Sequence, residues 1–116
     1  MEIIIKCENA NALKNAIIRA VEDKKLKTWE VRVDCNNERL LTHVTSTRQW
    51  QDDAMLYLES DPSIDPLDYD KLIVGIAWWE NRHEPDRKEQ SYIIGRFTEV
   101  LLAHFSKGFV ELSIEK

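Results

Sequence analysis

The hydrophobic period changes several times along the chain, and these changes restrict the fold more than any single residue does. Leu13, Ala16, Ile17, Ala20 and Val21 fall at helical spacing, with Lys14, Arg19 and Glu22 on the outer face. Asn9 or Asn11 is placed to cap that helix, and Lys24 and Lys25 suit its negative end. Ahead of it, residues 2–7 carry three consecutive isoleucines and read as a buried opening strand. After it the period drops to that of a strand with one wet face, because Trp29, Val31 and Val33 alternate with Glu30, Arg32 and Asp34. Asn36 and Asn37 suit a tight turn, so residues 39–45 return as the second arm of a hairpin.

Residues 54–59 read as a short strand, although Ala54, Met55 and Leu56 also favour a helical turn. Residues 61–70, with Pro62, Pro66 and four aspartates, break the pattern. Residues 71–79 admit two readings. Asp65-Pro66 would start a helix, whereas Ile73, Val74 and Ile76 with Gly75 and two tryptophans favour a strand, the reading taken. Residues 80–89 read as a charged loop. From Ser91 a second helix is expected, its face formed by Ile93, Phe97, Val100, Leu101 and His104 or Phe105, with Gly108 as a left-handed stop. Val110, Leu112 and Ile114 alternate with charged or polar residues in a closing strand. The expected fold is therefore α+β, in the order β-α-β-β-β-β-α-β. It has a mostly antiparallel sheet with two helices on one face, a ferredoxin-like relative. Residues 1–116 make one globular domain of ordinary size.

Acids outnumber bases 21 to 16, for a net charge of −5. Nucleic acid and anionic membrane are poor partners for such a chain, since phosphate binding draws on Lys and Arg. A basic protein is a better one. The longest apolar run, 72–79, has eight residues, whereas a membrane helix needs roughly 20. Met1-Glu2-Ile3-Ile4-Ile5-Lys6 is too short and acidic for a signal peptide. Cys7 and Cys35 read as reduced thiols of a cytoplasmic protein.

Reaction chemistry is sparse. His43, His83 and His104 belong to no metal-ligand motif, and Gly75, Gly95 and Gly108 are too scattered to cradle a phosphate. His83-Glu84-Pro85-Asp86 is the most reactive-looking cluster, a histidine beside carboxylates that could act as a general base, but no orienting partner accompanies it. The expectation is a non-enzymatic protein with no cofactor or metal. Its expected partner-binding residues begin with the acids Glu59, Asp61, Asp65, Asp68 and Asp70, a run without a single base. Tyr69 within the run is suited to anchor an interface that the charges steer. Trp50 in a polar loop and Trp79 complete the set. Trp78 and Trp79 are adjacent, so in a strand they would point to opposite faces, while Trp29 belongs to the core.

The character of the whole chain resembles the bacterial toxin immunity protein class, including immunity proteins of contact-dependent growth inhibition systems. It is a compact acidic α+β chain without a catalytic motif, with the 61–70 run and loop tryptophans. Its segment Tyr92-Ile93-Ile94-Gly95-Arg96-Phe97 leads into Val100-Leu101-Leu102-Ala103-His104-Phe105, similar to a late helix in some of these proteins. The resemblance implies tight binding to a cognate toxin, commonly a basic nuclease, by covering its active site or substrate surface. It carries over no site residues. Two alternatives stay open: a ferredoxin-like regulatory or self-associating domain, and a small metal-assisted hydrolase using His83, Glu84 and Asp86.

Overall fold

Three side chains at alternate positions, Ile3, Ile5 and Cys7, are at most 1% exposed in the computed structural model, which describes residues 1–44 and 53–116. They form the inward row of strand β1 (Glu2–Cys7). Helix α1 (Ala10–Glu22) follows at once. The Asn9 side chain accepts a hydrogen bond from the Ala12 amide, and Leu13, Ile17, Ile18 and Val21 make the buried stripe. Its other end is a Schellman turn: the Lys24 amide donates to Val21, the Lys25 amide to Ala20, and Lys24 takes a positive φ of 60°. The hairpin of β2 (Trp29–Val33) and β3 (Arg39–His43) turns at Asn37, whose φ is 66°. The Asp34 carboxylate holds that turn by accepting from the Asn36 and Glu38 amides.

Beyond the undescribed segment come β4 (Met55–Asp61), β5 (Asp70–Ala77), helix α2 (Arg87–His104), a single 3-10 turn (Ser106–Gly108) and β6 (Glu111–Glu115). The strands form one antiparallel sheet in the order β2-β3-β4-β5-β1-β6. Its β6-β1-β5-β4 portion has the split βαβ order of a ferredoxin-like fold, with the β2–β3 hairpin added at one edge. Register explains why one face is dry. Ile3 lies opposite Val74, Ile5 opposite Leu72 and the partly buried Leu112, and Leu58 opposite Val74. That row meets Leu13, Ile17, Ile93, Ile94, Phe97 and Leu101 in a single core, so both helices cover the same face.

The second helix starts four residues earlier than the sequence suggests. Asp86 is its N-cap, accepting from the Glu89 amide, and Arg87–Gln90 form the first turn. The charged residues there mask a capping pattern, Asp86 followed by Glu89 at the third helical position. Gly108 is not a left-handed stop: no glycine among the described residues has positive φ, and the helix ends at Phe105 before the 3-10 turn. Trp78 and Trp79 lie beyond the last residue of β5 and are not strand residues at all. His43 lies between Thr42 and Val44, where a strand's outer face would explain a polar residue equally well, yet it is buried beside Trp29 and Tyr92 on the helix-covered face.

Gly95 sits in the middle of α2, exposed, and a methyl group there would meet nothing within 4 Å. Gly95→Ala is therefore expected to raise stability by about 1 kcal/mol through lower unfolded-state entropy and better helix propensity. Urea unfolding should show a higher midpoint with an unchanged slope.

Candidate functional site

The loop between β4 and β5, residues 62–69, is built from its own carboxylates. Asp70, the first residue of β5, accepts from the Ser63 amide at 2.9 Å through one oxygen and from the Ala10 amide at 3.0 Å through the other. These two amides hold its carboxyl below the usual carboxylate range. One side chain thus ties the loop to the first turn of α1, where a negative charge also suits the helix dipole. Within the loop the Ser63 hydroxyl accepts from the Asp65 amide and donates to the Asp65 carbonyl. The Asp65 carboxylate accepts from the Leu67 amide, its carbonyl from the Asp68 amide, and the Asp68 carboxylate from the Tyr69 amide.

This pinned backbone presents apolar side chains outward. Ile64 is 101% exposed and Leu67 94%, and Tyr69 and the carboxylates of Asp61, Asp65 and Asp68 are exposed around them. Both side chains stand in water, although large aliphatic groups normally contribute to a core. Sequence reasoning found the acids and Tyr69 but passed over Ile64 and Leu67. Their signal was an isolated apolar residue in each of two Pro-Asp-rich turns, without the periodicity that marks core.

The expected site residues do not all gather here. Glu59, Asp61, Asp65, Asp68 and Tyr69 lie on the loop or at its root, but Asp70 points inward as its organiser. Trp79 is at the opposite end of β5, and the strand's length places it roughly 25 Å away. Trp50 lies outside the described residues.

Trp78 and Trp79 instead line a cleft of about 1150 Å³. Cys35, Glu38 and Leu40 of the β2–β3 hairpin line it together with residues 57–60 of β4 and residues 77–82 at the end of β5 and beyond. Tyr57 shapes it. Its ring lies across Gly75, and a Cβ at that position would collide with the ring. Burial, together with the charges of Glu2 and Glu59, pushes the Tyr57 hydroxyl pKa up. Arg82, also on the cleft, is paired with Asp53 at 2.7 Å.

Several groups with chemical potential are engaged structurally, while His83 and Glu84 are exposed. Asp86 of the His83-Glu84-Pro85-Asp86 cluster caps α2, and no group of three or more metal-ligating side chains occurs among the described residues. Burial and the nearby Asp70 charge push the Cys7 thiol up, away from the reactive thiolate. His43 packs with its ring 4.9 Å from Trp29, and its Nδ1 lies 3.0 Å from the Tyr92 hydroxyl. Burial lowers its pKa, Arg96 lowers it further, and Glu99 opposes them. No family model, curated protein or solved structure matches the chain.

Two measurements check this geometry. Gly75→Ala should displace the Tyr57 ring and destabilise the fold, but in a Tyr57→Ala background the same change should be neutral or stabilising, because the collision is gone and a strand glycine is weak. A double-mutant cycle by urea unfolding reads that coupling. His43 is held neutral, so its contribution is fully present above the unfolded-state value of about 6.5 and is lost as pH falls from there through the lowered folded value. The unfolding midpoint should drop between pH 7.5 and 5, and His43→Gln should shrink that drop.

Proposed function

We propose that the protein is a non-enzymatic immunity protein that binds and neutralises a basic protein toxin, docking through the 62–69 loop. The observation that carries this reading is the full exposure of Ile64 and Leu67 on a backbone fixed by Asp70, Asp65 and Asp68. A pinned loop loses little further entropy on binding, so more of the contact energy appears as affinity. Burying each aliphatic side chain against a partner is worth about 1.5–3 kcal/mol. The surrounding aspartates, on a chain of net charge −5, attract a basic surface and accelerate encounter. A toxin as the partner follows from the resemblance of the whole acidic chain to toxin immunity proteins.

The test is growth rescue followed by binding. The product of the reading frame immediately upstream is expected to arrest growth of a laboratory bacterium, and co-expression of this protein to relieve the arrest. Absence of relief would overturn the toxin reading. With the partner in hand, Ile64→Ser and Leu67→Ser should each raise Kd by about tenfold or more without altering stability. Asp65→Asn with Asp68→Asn keeps the acceptor atoms that shape the loop. It should slow association and flatten its salt dependence, whereas an unchanged salt slope would remove the loop charges from the encounter.

A further inference from the structure

We propose that β6 is a self-pairing edge: two copies of the chain join their β6 strands antiparallel about a two-fold axis through Leu112, making one sheet continuous across a dimer. The inference stands apart from the preceding reading, since it needs no toxin. The first observation is position. β6 ends the sheet and, among the described residues, pairs with β1 alone, so alternate N–H and C=O groups on its outer side face no strand. The second is an apolar row that runs out of the core into water. Leu112 lies opposite Ile5 and Ile114 opposite Ile3, so both share the helix-side face with two fully buried residues. Ile114 is nonetheless 47% exposed, and Val110, whose amide donates to the Lys6 carbonyl alongside, is 58% exposed. Leu112 is partly buried between them. Edges are commonly protected by proline or by charges that point inward, and this row holds neither.

The third observation selects the occupant. In a two-fold antiparallel pair, residues equidistant from the axis in opposite directions stand opposite each other. With Leu112 at the axis it meets the partner's Leu112, Val110 meets the partner's Ile114, and on the other face Glu111 meets the partner's Ser113. The apolar row is then matched throughout, and no acid of the strand faces an acid. An axis at Glu111, Ser113 or Glu115 would set Glu opposite Glu, and one at Ile114 would set Leu112 against the partner's Lys116. Glu111 also lies 3.6 Å from the Lys6 ammonium of its own chain, which softens repulsion between two chains of net charge −5. The opposite edge of the sheet competes less well. An axis at Val31 of β2 would set Glu30 opposite the partner's Arg32, but these side chains already pair at 3.7 Å within one chain, and exposed ion pairs contribute little. Trp29 is buried and Val31 partly so, leaving Val33 as the exposed member of that row, so joining there removes less apolar surface from water. A contact along one short strand lies at the small end of protein interfaces, which makes the dimer a weak one.

Sedimentation velocity of the protein alone, from about 10 µM to about 1 mM, is expected to show a monomer passing into a dimer as concentration rises. Two substitutions of the exposed Ser113 read the register. Ser113→Lys sets a cation opposite the partner's Glu111, twice by symmetry, and should lower the Kd of the dimer about fivefold, while Ser113→Glu should raise it about as much. Ile114→Lys should abolish the dimer, with the urea transition showing that the monomer still folds. The Ile64→Ser, Leu67→Ser variant should dimerise as the unaltered protein does. In a Cys35→Ser background, Leu112→Cys should oxidise to a disulfide-linked dimer, because Cα atoms opposite each other at the axis lie about 5 Å apart, whereas Ile114→Cys, about 14 Å from its copy, should not. A monomer across the whole range, indifference to both Ser113 variants, or linkage through Ile114→Cys as readily as through Leu112→Cys would each overturn the proposal. So would a dimer lost in the Ile64→Ser, Leu67→Ser variant, or one lost in Val33→Lys and kept in Ile114→Lys. Growth rescue tests the toxin reading by itself, and its failure leaves the dimer standing.

Discussion

The register of β1 is the constraint on which the other layers depend. Ile3, Ile5 and Cys7 face the helices while Glu2, Ile4 and Lys6 face away. A slip of one residue would turn Lys6 into the core and Ile5 out of it, so the alternation permits one pairing only. With β1 fixed, Leu72 and Val74 of β5 fall beside Ile5 and Ile3, and Asp70 falls opposite Cys7 at the strand's end. That is where α1 begins and the 62–69 loop passes, so one carboxylate reaches an amide of each. The shape of the loop is in this sense a consequence of three apolar residues at the other side of the sheet's pairing.

The two surfaces that remain are physically different. The loop offers side chains on a backbone whose Ser63, Asp65, Leu67, Asp68 and Tyr69 amides are already hydrogen-bonded, so contact there is mainly through apolar area and charge. The cleft is a concave surface framed by aromatic rings and carboxylates. Glu59 is the residue common to both neighbourhoods, at the root of the loop and on the wall of the cleft.

The order of elements was legible because the period of apolar residues is a local property. The stripe of Leu13 to Val21 and the alternation from Trp29 to Val33 each identify their element without reference to the rest. The α2 start was missed because Asp86 and Glu89, a cap and its companion, look the same as loop charges when the apolar stripe begins only later. His43 was not placed because a polar residue between Thr42 and Val44 suits an outward position equally well, while the pairing with Trp29 and the hydroxyl of Tyr92 lets it be buried. At the candidate site the charges of the loop could be read, but exposure could not: Ile64 and Leu67 are distinguished from core residues only by the fold. The cleft was out of reach for a further reason, since its walls come from segments far apart in the sequence, among them Cys35, Glu38 and Leu40, residues 57–60 and residues 77–82.

The distribution of buried contacts also divides the molecule by stability. The tip of the β2–β3 hairpin is fastened by its own turn, while its other end is held by Trp29 and Leu41 in the shared core. Local opening follows the density of buried contacts. The hairpin tip, outside the shared core, is thus the part of the sheet expected to open locally before the strands that carry the core.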